Sequence, residues 1–114
     1  MAMAVTIYHN PKCSKSRETL ALIQGKGIEP QVIEYLKTPP SAAELKDILG
    51  KLGIRAKDLL RKKEAAEAGV DPTQPEESLI AAMAAHPQVI ERPIVVSGAK
   101  ARLGRPPEQV LEIL

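Results

Sequence analysis

The sequence predicts a mixed α/β fold, and three observations carry that prediction. A β-branched run, Val5-Thr6-Ile7-Tyr8, precedes a stretch with helical spacing and a second strand-like run, Gln31-Val32-Ile33-Glu34-Tyr35. Near the other end, Pro93-Ile94-Val95-Val96 and Ala101-Arg102-Leu103-Gly104 are two short strand-like runs, close enough to pair as a hairpin across Ser97-Gly98-Ala99. Between these regions the apolar residues recur at helical intervals.

The elements follow in order. His9-Asn10-Pro11 ends the first strand, and Ser14 to Gln24 reads as a helix with Leu20 and Ile23 on one face, stopped by Gly25 and Gly27. Thr38-Pro39-Pro40 breaks the chain after the second strand. Ser41-Ala42-Ala43-Glu44 fits a capping box, and Leu45, Ile48, Leu49 and Leu52 form the apolar stripe of the helix behind it, ended by Gly53. Arg55 to Lys63 predicts a further short helix, and Gly69-Val70-Asp71-Pro72 a turn. Thr73-Gln74-Pro75-Glu76 is a second capping-box candidate, opening a helix that buries Leu79, Ile80 and Met83 and ends before Pro87. Pro106-Pro107-Glu108 predicts a final helix with proline in its first turn, burying Val110, Leu111 and Leu114.

The order β-α-β, then helices, then β-β-α is the thioredoxin-like arrangement. We expect one domain over 1–114 with an α-helical insert at about 41–86, because the insert alone holds too few apolar residues for a separate core.

Composition narrows the function. Tyr8 and Tyr35 are the only aromatic residues, so the core is aliphatic and there are no platforms for stacking bases. The net charge is +2, and the basic residues are scattered apart from small groups around Cys13 and at Arg61-Lys62-Lys63. Nucleic-acid binding, which wants a basic stripe, is not expected. A single cysteine excludes an intramolecular disulfide. Met1-Ala2-Met3-Ala4 lacks the basic start and apolar core of a signal peptide, and no run approaches the ~18 apolar residues of a membrane span. These features together predict a cytosolic protein with no membrane association. One Cys and two separated histidines make no metal-ligand set, so no metal is expected.

The chemistry concentrates in His9-Asn10-Pro11-Lys12-Cys13-Ser14-Lys15-Ser16-Arg17. Cys13 falls between the first strand and the first helix, where free amides favour an anion, whether a thiolate or a bound oxyanion. Lys12, Lys15 and Arg17 add positive charge, and His9 offers a cation or a hydrogen bond. Lone cysteines are commonly small buried hydrophobes, but one flanked by Lys12 and Ser14 fits a core poorly. Lowering a thiol pKa by two units from about 8.5 raises thiolate at pH 7 from about 3% to about 75%, roughly 25-fold, but gives back roughly 6- to 10-fold in nucleophilicity. Rate through pKa alone is therefore a weak account of so many cations; holding an anionic substrate against a thiolate is a better one. The spacing is Cys-x-x-Ser, so Ser16 resolves no disulfide, and the second thiol must come from outside, with glutathione the natural candidate. Two roles stay open for His9, action at the thiol or simple termination of the strand. His86, before Pro87, reads as a helix-end residue, and Arg61 as part of a solvated basic face.

His9 to Arg17, Leu59-Leu60-Arg61-Lys62, Glu91-Arg92-Pro93-Ile94-Val95-Val96 and Gly104-Arg105-Pro106 together resemble the glutaredoxin-coupled arsenate reductase (ArsC-type) family, over essentially the whole chain. The resemblance is closer to its short chromosomal branch than to plasmid-borne members with a longer C-terminal tail. It implies that Cys13 is the nucleophile and that Arg61, Arg92 and Arg105 bind the oxyanion. By the same resemblance His9, Ser16 and Arg17 match the family's helper histidine and the Ser and Arg after its cysteine, which implies that His9 and Ser16 act with Cys13 in catalysis and that Arg17 helps bind the oxyanion. The Arg92–Pro93 peptide is implied to be cis. The implied function is reduction of arsenate to arsenite by a monomer, with no bound cofactor, glutathione as co-substrate and glutaredoxin as partner protein.

Two other readings compete with it. One is a glutathione-dependent thiol oxidoreductase without arsenate specificity; arginines at 61, 92 and 105 favour a small oxyanion over a bulky protein disulfide. The other is an Spx-type regulator that binds RNA polymerase, which typically switches through a Cys-x-x-Cys pair that this chain lacks.

Overall fold

A computed structural model describes residues 4–114. Met1, Ala2 and Met3, part of the segment read above as carrying no leader, lie outside the described residues. The chain divides into two compact units, one from Met1–Thr38 and Arg92–Leu114, the other from Pro39–Glu91. The stretch expected as a helical insert falls within the second.

The first unit holds a four-stranded sheet: β1 (Val5–His9), β2 (Gln31–Glu34), β3 (Ile94–Ser97) and β4 (Lys100–Leu103), in the spatial order β2-β1-β3-β4. β1 and β2 are parallel, joined through helix α1 (Ser14–Gly25), and the other pairings are antiparallel. This is the thioredoxin-like α/β architecture expected from the element order. Alternation along β1 sends Val5 and Ile7 to one face, where they cluster with Val95, Ile23 of α1, and Val110 and Ile113 near the C-terminus. β1 extends one residue beyond the predicted run, which puts His9 in phase with Val5 and Ile7 on the side of α1.

The last helix departs from expectation. It is a 3₁₀ helix, Pro107–Ile113, and it buries Pro107, Val110 and Ile113, while Leu111 and Leu114 stay partly exposed. The buried set recurs every three residues, the period at which 3₁₀ side chains eclipse, whereas the expected set assumed a longer turn.

The second unit contains α2 (Ala42–Leu52), α3 (Lys62–Glu67) and α4 (Glu76–Ala85), with 3₁₀ turns at Ala56–Leu59 and Pro87–Val89. The Ser41 capping box is present in both directions: Ser41 Oγ accepts from the Glu44 amide, and Glu44 accepts from the Ser41 amide. Gly53 closes α2 in the left-handed conformation, φ 71°. Leu45, Ile48, Leu49, Leu59, Leu60, Leu79, Ile80, Met83, Val89 and Ile90 are buried in this compact unit.

Two expectations fail here for stated reasons. The helix predicted over 55–63 is split, because Leu60 pairs with Ile90 in an antiparallel bridge, and the Arg61 amide donates to the Val89 carbonyl at 2.7 Å. The second capping box does not form. Asp71 takes both the amide and the hydroxyl of Thr73, and Glu76 accepts instead from the Ala56 amide through both carboxylate oxygens. Pro75 is left as the N-cap of α4, with no side-chain hydrogen bond. Among the described residues no helix is long and apolar enough to cross a membrane.

Gly104 shows how tightly the first unit closes around its hairpin. It is buried, its amide donates to the Pro93 carbonyl at 3.0 Å, and a Cβ built on it would lie 2.7 Å from Pro93 Cγ and in hard contact with Thr19 Oγ1. Gly104→Ala is therefore expected to destabilise by about 1–3 kcal/mol, lowering Tm by about 5 °C or more. Thermal unfolding followed by circular dichroism measures this, and an unchanged Tm would show that the contact relaxes freely.

Candidate active site

The turn that carries the cysteine is built by its own residues. Asn10 Oδ1 accepts from the Lys12 amide at 3.0 Å, and the Asn10 carbonyl accepts from the Cys13 amide at 3.0 Å. Asparagine before proline is suited to this: its side chain mimics a backbone turn, and Pro11 presets the next φ. Cys13 then becomes the N-cap of α1, with extended backbone at φ −94° and ψ 123°. The thiol makes no capping hydrogen bond, but the amides of Ser16 and Lys15 lie close enough to stabilise a thiolate.

The sulfur is partly buried, and that burial pushes its pKa up. The Ser16 amide, the Arg92 guanidinium, the Lys15 amide and the Arg105 guanidinium pull it down, and they prevail, leaving the thiol below its ordinary value. The side-chain charges acting on the sulfur are thus Arg92 and Arg105, rather than the neighbouring Lys12, Lys15 and Arg17 to which local sequence pointed.

Sheet register explains this gathering. Tyr8 pairs with Ile94, and Ile94 with Leu103. The end of β1, the start of β3 and the end of β4 therefore share one end of the sheet, together with the Cys13 turn. Arg105 Nε donates to the Arg92 carbonyl at 2.9 Å, tying the two arginine-bearing segments together. The Arg92–Pro93 peptide is cis, as the resemblance implied, and so is Arg105–Pro106, which was not foreseen. Arg92 is the exceptional side chain: its Nε and Nη1 are buried with no hydrogen-bond partner. A buried guanidinium without an acceptor is costly, and an anion beside it removes that cost.

His9 lies next to α1. Its Nδ1 is 2.6 Å from Ser16 Oγ, which also accepts from the Asn10 amide at 3.0 Å. Burial lowers the His9 pKa; Glu34, its register partner on β2, opposes this and Arg17 reinforces it. The net shift is downward, which favours the neutral ring. Ser16 is fully buried and bridges His9 to the turn. Arg17 Nη1 donates to the Pro11 carbonyl at 2.9 Å, bracing the turn from the helix side.

Arg61 belongs to the second unit. Its Nη2 lies 3.0 Å from Glu64 Oε2, and its Nε lies 3.5 Å from Glu91 Oε1. All three side chains are under a quarter exposed, at 24%, 22% and 23%. The solvated basic face suggested by local sequence is therefore incorrect for Arg61. His86 caps the end of α4, its amide donating to Ala82 O at 2.8 Å, as expected of a helix-end residue. Among the described residues no three His, Cys, Asp or Glu side chains gather as a metal cluster.

A thioredoxin-like sheet with a single thiol at a helix N-terminus, its pKa lowered in part by two arginines, is the framework of a thiol-based oxidoreductase. The chain belongs to the ArsC family, whose model matches residues 8–113. It is 53% identical to the uncharacterized protein YfgD of Escherichia coli K12, covering 100% of this chain and 99% of that one. It is 51% identical to an arsenate reductase of Haemophilus influenzae, over 98% and 100% of the two chains. The solved structure of an arsenate reductase from Vibrio cholerae superposes with a TM-score of 0.90 at 55% identity, covering both chains fully.

Proposed function

We propose that this chain is an arsenate reductase that works through a covalent adduct on Cys13, with glutathione and glutaredoxin as reductants. The observation that carries the reading is Arg92, a partly buried side chain whose buried Nε and Nη1 have no hydrogen-bond partner and whose charge acts on the Cys13 sulfur. Its planar fork suits a tetrahedral oxyanion, and Arg105 adds a second cation. The arsenate reductases among its relatives supply the identity of the anion. In this reading Arg61 is the third oxyanion ligand. His9, Ser16 and Arg17 hold the turn in which the thiolate forms.

The reaction has three steps. The Cys13 thiolate attacks arsenic, a sulfur–arsenic bond forms, and one arsenate oxygen leaves as hydroxide or, once protonated, water. A glutathione thiolate then attacks the Cys13 sulfur. The sulfur–arsenic electron pair goes to arsenic, which leaves as trivalent arsenite, and a Cys13–glutathione disulfide remains. A glutaredoxin thiolate attacks the glutathione sulfur of that disulfide and releases the Cys13 thiolate. The two electrons delivered to arsenic come from the two thiols. The protein activates the nucleophile and binds and orients the anion. It does so as a cytosolic monomer with no bound cofactor.

The test is arsenate turnover by the purified protein with glutathione, glutaredoxin and a glutathione-recycling system, each omitted in turn. Saturable turnover that needs both reductants is expected. No turnover with everything present would overturn the arsenate reading. Turnover supported equally by thioredoxin alone would overturn the assignment of reductants.

A further inference from the structure

The contacts around Arg61 are more constrained than those of a surface ion pair. Leu60 bridges Ile90, the Arg61 amide donates to Val89 O at 2.7 Å, and the Glu91 amide donates to Leu59 O at 2.8 Å. Backbone pairing thus sets Arg61 opposite Val89 and Glu91 opposite Leu59, so Arg61 and Glu91 are diagonal neighbours on one side of the bridge. Glu64 is one turn further on, in α3, whose N-cap is Arg61 itself. The two carboxylates meet the guanidinium at Nη2 and at Nε. A guanidinium carries five N–H donors, and both hydrogens on Nη1 lie outside these two contacts.

We propose that Glu64 and Glu91 are positioning residues that hold Arg61 by Nη2 and Nε and so present its Nη1 side to an anionic substrate. This rests on the reading of Arg61 as an oxyanion ligand. The physical basis is preorganisation. A long side chain loses rotamer freedom when it binds, and one already held in place loses less of it at that moment. Partial burial makes the hold stronger than that of an exposed pair.

The proposal makes a prediction opposite in sign to simple electrostatics. Removing a negative charge beside a cation should strengthen binding of an anion if the carboxylates merely compete for Arg61. If they position it, binding should weaken. Glu64→Ala and Glu91→Ala are expected to raise the KM for arsenate about fivefold or more, with kcat changed less than about twofold. Glu64→Gln, which keeps an acceptor oxygen, should recover at least half of the loss on a logarithmic scale. Arg61→Ala should raise KM further, and the Arg61→Ala/Glu64→Ala double variant should be no worse than Arg61→Ala alone, because the carboxylate then has nothing to position. Circular dichroism of each variant establishes that it is folded, and the Gln variants replace any Ala variant that is not.

An unchanged or lowered KM in the folded Glu64 and Glu91 variants, with Arg61→Ala raising it, would overturn the positioning role alone. Additive losses in the double variant would do the same. A KM unaffected by Arg61→Ala would remove Arg61 from the oxyanion site, and the positioning role with it.

Discussion

Cys13→Ser should lose arsenate reduction by about 10³-fold or more, down to the uncatalysed background, while still binding arsenate with an affinity near that of the wild type. The two halves of this result report different things. Serine has no accessible oxyanion at neutral pH, so the nucleophile is lost and the sulfur–arsenic bond cannot form. The anion site is a separate asset: Arg92 with its unpartnered nitrogens, and Arg105 tied to the Arg92 carbonyl, remain in place. Turnover is measured by the glutathione-coupled assay and binding by calorimetry. Reduction by the serine variant at even a tenth of the wild-type rate would rule out Cys13 as the nucleophile. Loss of binding along with turnover would mean that the sulfur itself, rather than the arginines, holds the anion.

Arg92 should show the second largest effect, and the two replacements that test it separate charge from shape. Arg92→Lys keeps a cation but loses the planar fork, and kcat/KM for arsenate should fall about 10²- to 10³-fold, the range for removing a donor from an oxyanion site. Arg92→Met removes the charge as well. Arg92 is one of the groups that hold the Cys13 thiol below its ordinary pKa, so losing its charge makes the thiolate less favourable and moves that pKa up. The rate of Cys13 alkylation, which rises with pH as the thiolate forms, should then have its midpoint at higher pH in Arg92→Met than in the wild type. Stability should not follow activity. The methionine variant removes a partly buried cation whose buried Nε and Nη1 lack acceptors, so its Tm should equal or exceed that of the wild type. An unchanged alkylation midpoint would show that Arg92 does not act on the thiol.

The parts of this molecule that could be read from sequence are those decided by neighbours in the chain. The Ser41 capping box, the Gly53 helix stop and the hairpin around Gly98 depend on residues three or four apart, and each is present in the structure. The two failures in the second unit have one cause in common, a competing partner that takes the group the local pattern needs. Thr73 and Glu76 have the spacing of a capping box, but Asp71 occupies Thr73, and the amide of Ala56, twenty residues away, occupies Glu76. The helix expected across 55–63 gives way to a bridge with Ile90.

The candidate site divides along the same line. Cys13 and its turn were legible because Asn10, Pro11 and the helix start are contiguous. Arg92 and Arg105 were not, since only the pairing of β1 with β3 and of β3 with β4 brings them to the thiol. Their local context offered one usable signal, an arginine before a proline in both cases, and it took the resemblance to give that signal a meaning. Nothing in the neighbourhood of Arg61 announced that Glu91 would reach it.

The register that collects the thiol turn, Arg92 and Arg105 at one end of the sheet puts the turn between β3 and β4 at the other. There β3 turns into β4 through Gly98, whose φ of 60° is left-handed, and Ala99, with Gly98, Ala99 and Lys100 all exposed. Changes of length or composition at that corner act on a surface loop a full strand away from the reacting sulfur. The fold thus separates a rim where almost every residue is constrained from one where the chain can be lengthened, tagged or joined to another protein at little cost to catalysis.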